Sequence, residues 1–144
     1  MKIDRIDGIK EEAWGALADV QTVYLATAEA DQPRVRPVTL LKIDRRLWIA
    51  TSMRSAKARQ IRRNPNVEFC LPLSDERGNG YLRVAGLASL VTDPDTRAEI
   101  GGKVPFLNEY WSGTDDPDFS LLRIVRVEVE YLRPGEQEPY TFIV

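Results

Sequence analysis

The sequence contains no histidine and a single cysteine, Cys70, among its 144 residues. Histidine-dependent chemistry is therefore excluded for this chain alone: Ser/His/Asp triads, Cys/His pairs, histidine-ligated haem and zinc sites, which need histidine or several cysteines. A single cysteine also excludes an intrachain disulfide. Because Cys70 lies in the apolar run VEFCLPL, we expect a buried free thiol. We assign no catalytic and no metal-ligating residue.

Long apolar runs are also missing. No segment is long enough to span a bilayer, and the N-terminal stretch MKIDRIDGIKEEAW is too charged for a signal peptide. We therefore expect a cytoplasmic protein without a membrane partner. The length is typical of one domain, and 43% hydrophobic residues suffice for one core. The prediction is a single domain over residues 1–144.

Positive charge is concentrated in one part of the chain. Residues 34–63 contain ten basic side chains and one acid, although the whole chain has a net charge of −2. This asymmetry indicates a local anionic partner. Nucleic acid is one candidate, but the acidic remainder and a pI of about 5.3 argue against a general polyanion binder. A compact anion such as a phosphate group fits better.

The hydrophobic pattern predicts an α+β protein that is mainly β. Helical spacing covers residues 7–18, and a second, short helix follows Ser55 as its N-cap. One or two short helices are predicted between residues 94 and 111. The predicted strands are VYLATA, PRVRPVTLLKI, LWIAT, VEFCLPL, YLRVAGLASLV and RIVRVEVEYL, with PYTFIV as a candidate last strand. Consecutive strands joined by tight turns favour an antiparallel barrel or sandwich.

The second predicted strand breaks the rules of a buried strand. Arg34 and Arg36 share one face with Val38, while Pro37 and Thr39 share the other. Unpaired arginines cannot face a dry core, and a proline places this part of the strand at an edge, at a bulge or beside a ligand. We interpret the strand as one that presents backbone and guanidinium groups to a bound anion.

The short helix after Ser55 points to the same chemistry. Cations cluster at its first turn, where the helix dipole favours anions. A phosphate cradle could be formed by the free backbone N–H groups of that turn, the hydroxyls of Thr51, Ser52 and Ser55, and the ammonium group of Lys57. The alternative is a solvated basic helix whose charges spread apart.

These segments resemble a known family. RVRPVTL, WIATSMRSAKARQIRRNPNVEF and YLRVAGLA are similar to the flavin-binding core of the pyridoxamine 5′-phosphate oxidase-like split barrels. The segment KVPFLNEYWSGTDDPDFSLLRI resembles the general stress protein branch of that superfamily. The resemblance implies a six-stranded antiparallel split β-barrel with a few short flanking helices. It also implies a homodimer with FMN at the dimer interface.

The resemblance also implies site residues by position. Arg36 and Lys57 match the family's phosphate ligands, with Ser55 and Arg34 beside them. The strand that lies along the isoalloxazine ring is matched by Pro37, Val38 and Thr39, and a polar contact to the cofactor by Thr51. Tyr81 matches a position at which the partner subunit reaches the cofactor, and Trp111 is a candidate ring-side aromatic. For the last two, a core or interface role is the alternative.

The chain also departs from the true oxidase. The C-terminal tryptophan, arginine and histidine segment that binds pyridoxal phosphate is absent, so the resemblance does not imply vitamin B6 oxidation. It implies an FMN-dependent oxidoreductase or reductase of unassigned small-molecule substrate, with NAD(P)H as electron donor and the redox chemistry supplied by the cofactor. The alternatives are a non-catalytic flavin-binding stress carrier or sensor, and a deazaflavin-dependent reductase.

Overall fold

The computed structural model describes residues 2–144, with side chains from residue 5 onwards. Four helices and seven strands follow one another along the chain. In chain order they are α1 Lys2–Gly15, β1 Val20–Glu29, β2 Gln32–Ile43, β3 Arg46–Ser52, α2 Ala56–Arg63, β4 Asn66–Asp75, β5 Gly78–Leu90, α3 Pro94–Gly101, α4 Leu107–Tyr110, β6 Phe119–Leu132 and β7 Tyr140–Ile143.

The strands form one antiparallel sheet that closes on itself. The order is β3-β2-β1-β4-β5-β6-β7, and an additional pairing of β3 with β6 closes a ring of six strands. Strand β7 pairs only with β6 and lies outside the ring. The predicted six-stranded split barrel is therefore confirmed, with the candidate seventh strand added at its edge.

The split lies between β2 and β3. Strand β2 pairs with β1 over residues 32–41, but with β3 only through residues 41–43. Beyond this short pairing β3 leaves β2, and residues 47–52 pair with residues 119–124 of β6. Pro37 lies in the part of β2 that has a neighbour on one side only, which agrees with the prediction of an edge position.

The core has two parts on the two sides of this sheet. The ring interior contains Val23, Leu25, Ile49 and Phe69, and α1 and α2 contribute apolar side chains to it. A smaller cluster lies outside β3 and β6, where α3 and α4 cover Trp48, Phe119 and Leu121. Because residues 119–122 of β6 are buried on both faces, their sequence FSLL lacks the alternation of a half-exposed strand.

Three local expectations differ from the structure. Helix α1 ends at Gly15 rather than at residue 18, because Leu17 turns into the core and Val20 already begins β1. Ile9, Ala13 and Leu17 are buried, but Ile6 and Val20, which continue the same helical spacing in the sequence, are exposed. Cys70 is half-buried rather than buried, because it faces outward between the inward side chains of Phe69 and Leu71. Burial raises the pKa of its thiol.

Among the described residues, no helix has the length and apolar character that crossing a membrane requires.

Candidate functional site

A cavity of about 740 Å³ opens at the split of the barrel. Its walls come from β2, β3, the beginning of α2, and the segment from α4 to β6. This volume is in the range of small-molecule and cofactor sites. Eight of the eleven residues predicted from the sequence line it: Pro37, Val38, Thr39, Thr51, Ser52, Ser55, Lys57 and Trp111.

The first turn of α2 forms the polar end of the cavity. Ser55 is the N-cap, as predicted, and its hydroxyl accepts a hydrogen bond from the N–H of Ala58 at 3.1 Å. The Thr51 hydroxyl donates to Ser55 Oγ at 3.2 Å and so fixes the cap to the end of β3. The earlier N–H groups of a helix have no intrahelical partner, and no acidic residue lies in this first turn. The turn is therefore suited to an anion.

Lys57 brings a cation to this end of the cavity. Its side chain is partly buried, and within residues 5–144 its ammonium group makes no ion pair. Burial, followed by the nearby charge of Arg36, holds the pKa of Lys57 below its usual value. A buried ammonium without a carboxylate is costly unless an anion binds beside it.

Arg36 is not among the residues that line the cavity. Its guanidinium donates to Thr27 Oγ1 at 2.8 Å and to Gln60 Oε1 at 2.7 Å. Burial, followed by the charge of Arg34, lowers the pKa of Arg36. Because the charge of Arg36 is one cause of the lowered pKa of Lys57, the two predicted phosphate ligands lie near each other, although only Lys57 lines the cavity.

Two predicted residues lie elsewhere in this chain. Arg34 is on the same face of β2 as Arg36, but it is more exposed and pairs with Glu29 at 3.4 Å. The Tyr81 hydroxyl donates to Glu130 at 2.8 Å on the outer side of the sheet. Neither lines the cavity. Around the ring, β5 is separated from the split by β4, β1 and β2 on one side and by β6 and β3 on the other.

Asp118 is a site residue that the sequence did not reveal. It lies just before β6, and its carboxylate accepts from Ser52 Oγ at 2.7 Å and from Arg54 Nε at 3.2 Å. Its backbone carbonyl accepts from the N–H of Met53 at 2.8 Å. The Ser52 hydroxyl, then Arg54, lowers the pKa of Asp118. These contacts hold the β3–α2 connection, and with it the first turn of α2, against the loop before β6.

The opposite wall of the cavity is aromatic. Phe106, Tyr110 and Trp111 have ring centroids 5.7 to 6.5 Å apart, and Trp111 also packs edge-on against Phe119 at 5.1 Å. Of the three, only Trp111 was predicted from the sequence. The other lining residues that the sequence left unassigned are Thr22, Ile49, Ala50 and Glu109. The helical spacing in the segment LNEYW predicted the short helix α4, but it did not predict which face of the barrel this helix covers.

The described residues contain no group of three His, Cys, Asp or Glu side chains that could hold a metal ion. The cavity combines the first turn of α2, which is suited to an anion, with an apolar and aromatic wall. Such a combination suits a planar ring system that carries a phosphate group.

The ring of six strands and the cavity at its split define a split-barrel protein. The chain belongs to the pyridoxamine 5′-phosphate oxidase family, whose model matches residues 9–133. It is 28% identical over 132 residues to general stress protein 26 of Bacillus subtilis (strain 168), which covers 91% of this chain and 93% of that protein.

Two solved structures share both the fold and part of the sequence. A NimC/NimA family protein from Clostridium acetobutylicum has a TM-score of 0.75 and 26% identity, over 93% of this chain and 91% of that one. General stress protein 26 from Bacillus anthracis has a TM-score of 0.73 and 25% identity, over 94% of this chain and 98% of that one. These similarities agree with the resemblance to the general stress protein branch.

Proposed function

We propose that the chain is an FMN-binding flavoprotein with the flavin in the cavity at the split. The observation that carries this proposal is the pair of neighbouring cations, Lys57 and Arg36, next to the free N–H groups of α2. Neither cation has a carboxylate partner in the described part of the chain. A phosphate monoester supplies the missing negative charge.

The rest of the cavity fits the other half of FMN. Residues 37–39 of β2 and the aromatic residues Tyr110 and Trp111 all line the cavity. A flat isoalloxazine ring would be held between them by apolar contacts, while the hydroxyls of Thr51 and Ser52 offer hydrogen bonds. FMN would supply the electron transfer, and the protein would position it and exclude water.

We further propose that the protein is a homodimer. Tyr24 and Val35 are 49% and 71% exposed on β1 and β2, next to the split. Exposed apolar side chains beside a site that is open on one side suggest a protein partner. Tyr81 and Arg34, which do not reach the cavity of their own chain, are then candidates for contacts across the dimer. Sedimentation velocity would show a dimer of about twice 16.3 kDa; a monomer with bound FMN would contradict the proposal.

The activity that we propose is an oxidoreductase or reductase that takes electrons from NAD(P)H. Its substrate class is a small molecule that reaches the cavity beside the aromatic wall. NAD(P)H oxidation that requires bound flavin is the expected result. Flavin bound without turnover would favour a non-catalytic carrier or sensor instead.

The first experiment is the visible spectrum of the protein purified without added cofactor, followed by release and identification of the ligand. We expect free FMN at close to one per chain. A released deazaflavin would identify a deazaflavin-dependent reductase. A colourless protein that also binds neither added FMN nor deazaflavin would refute the proposal.

A further inference from the structure

Thr27, Gln60 and Arg36 form a polar cluster next to the proposed phosphate site. Thr27 on β1 and Gln60 on α2 are among the few buried polar residues of the described chain, with exposures of 4% and 9%. The Thr27 hydroxyl donates to Gln60 Oε1 at 2.6 Å, and both oxygens accept from the guanidinium of Arg36. Two N–H groups of Arg36 are thus held by two fixed acceptors.

Both acceptors are neutral. The carboxylate of Glu29 is near, but it accepts from the Gln60 side-chain amide at 3.2 Å and from Arg34. It makes no hydrogen bond or ion pair with Arg36 in the described part of the chain. The Gln60 amide therefore lies between the cation and the Glu29 carboxylate: its Oε1 accepts from Arg36 as a carboxylate oxygen would, but without the charge, and its NH₂ group donates to Glu29.

We propose that Gln60, supported by Thr27, is the positioning residue that makes this site select a phosphorylated flavin over an unphosphorylated one. It fixes the Arg36 guanidinium beside Lys57 and leaves the positive charge uncompensated. This inference rests on the proposed function, because the selectivity concerns the flavin that the cavity binds. The remaining N–H donors of Arg36 and its charge are then directed to the phosphate group.

A purely structural role is the competing explanation. Gln60 is buried where α2 packs on β1, so it could simply satisfy polar groups at the end of the barrel. The two explanations differ over charge. If only packing and hydrogen bonding matter, glutamate keeps the acceptor for Arg36 and Thr27 and loses only the donor to Glu29, so it should change FMN and riboflavin affinity alike. If the neutrality of the acceptor matters, glutamate holds Arg36 in place but cancels its charge.

The experiment compares FMN with riboflavin, which lacks the phosphate. Dissociation constants for both are measured on the apoprotein by flavin fluorescence. We expect the wild-type protein to prefer FMN by at least tenfold. Gln60→Glu should reduce this preference by at least tenfold, through weaker FMN binding, while riboflavin affinity stays within twofold. Gln137→Glu, the same change on the exposed loop after β6, is the control and should keep the wild-type preference.

A second variant separates position from charge. Gln60→Met has a similar shape and no acceptor, so it leaves the charge of Arg36 but loosens its position. We expect a smaller loss of FMN preference than in Gln60→Glu. If Gln60→Glu does not fold, a Gln60→Met variant with undiminished preference overturns the inference. Equal losses of FMN and riboflavin affinity in Gln60→Glu would also overturn it, because they indicate a structural role.

The inference and the proposed function can fail separately. A wild-type protein that binds FMN and riboflavin equally would refute the selectivity and leave flavin binding standing. A protein that binds neither would refute the proposed function. In that case a second measurement tests the inference by itself: the increase in Tm that inorganic phosphate produces. The shift must be present in the wild type and lost in Gln60→Glu.

Discussion

Helices α1 and α2 both place charged side chains against the barrel, but the two groups of charges have different partners. At α1, Glu12 accepts from Arg133 at 2.7 and 2.8 Å and from the Tyr131 hydroxyl at 2.6 Å. At α2, Lys57 has no ion pair and Arg36 bonds to neutral oxygens, in the described part of the chain. The α1 cluster is complete within the chain, whereas the α2 cluster lacks an anion.

The pKa values of the two clusters differ accordingly. The hydrogen bond from Arg133 lowers the pKa of Glu12 to about 2, and burial with the Glu12 contact raises the pKa of Tyr131 to about 12. These shifts stabilise the charged acid and the neutral phenol in the folded state. At α2, burial destabilises the charged forms of Lys57 and Arg36. The first cluster therefore contributes to stability, and the second is available to a ligand.

The largest expected effect is on flavin binding at α2. Lys57→Ala or Arg36→Ala should weaken FMN affinity roughly 10- to 100-fold, because each removes a charge-assisted contact to the phosphate. FMN titration of the apoprotein measures this. Lys103→Ala, which removes a lysine paired with Asp44 on the surface, is the matched control. Full FMN affinity in both α2 variants would show that the phosphate assignment is wrong.

The second effect is on stability at α1. Arg133→Ala removes the bidentate partner of Glu12, and we expect a loss of about 1–2 kcal/mol in the free energy of unfolding. FMN affinity should not change. Urea denaturation measures the loss, with Arg46→Ala at the exposed start of β3 as the control. A loss of FMN affinity in Arg133→Ala would contradict the separation of the two clusters.

The third effect is the pH dependence of stability. The pKa of Glu12 is about 2 in the folded protein, against the ordinary glutamate value of 4.5 that applies in the unfolded chain. The contribution of Glu12 is therefore present above pH 4.5 and is lost as the pH falls towards 2. Its size should be about 1 kcal/mol, because solvent screens this exposed pair. In Glu12→Gln, the free energy of unfolding should fall less between pH 4.5 and pH 2 than in the wild type. If the two proteins lose the same stability over this range, other carboxyl groups cause the acid sensitivity.

The smallest expected effect concerns the carboxylate in the cavity wall. Asp118 is bound to Ser52 and Arg54, so it should not compensate the charge of Lys57. Asp118→Asn keeps an acceptor for both partners, and we expect FMN affinity to stay within about threefold of wild type. Asp115→Asn on the same loop is the control. A tenfold gain in FMN affinity would mean that Asp118 does compensate the α2 cations. The contrast between a charge-balanced α1 cluster and an uncompensated α2 cluster would then be wrong.

Local patterns predicted much of the fold and part of the site. Alternation identified the strands of the ring, because side chains two apart share a face of a strand. The N-cap at Ser55 follows from the same short-range chemistry. The hydroxyls and Lys57 near this cap line the cavity together because they lie within a few residues of one another. Dimer formation and the roles of the site residues remain predictions.

Long-range contacts could not be predicted in this way. Strand alternation alone does not distinguish Arg34 from Arg36, which share one face, yet only Arg36 donates to the buried acceptors Thr27 and Gln60. Asp118 received no role from the sequence, although its carboxylate accepts a hydrogen bond from Ser52, 66 residues earlier in the chain. No spacing rule connects such residues, because their distance depends on how the strands pair.

Composition and local pattern are enough to show which residue types are absent, where the positive charge concentrates and which segments become strands or helices. These properties depend on composition and on neighbours a few residues apart. The tertiary structure decided that β3 leaves β2 to pair with β6, which opens the cavity, and that α2 packs where Gln60 meets Arg36. This strand and helix packing also decides whether a charge finds a partner within the chain or remains for a ligand. Ion pairs and hydrogen bonds form between groups a few ångströms apart in space, whatever their separation along the sequence.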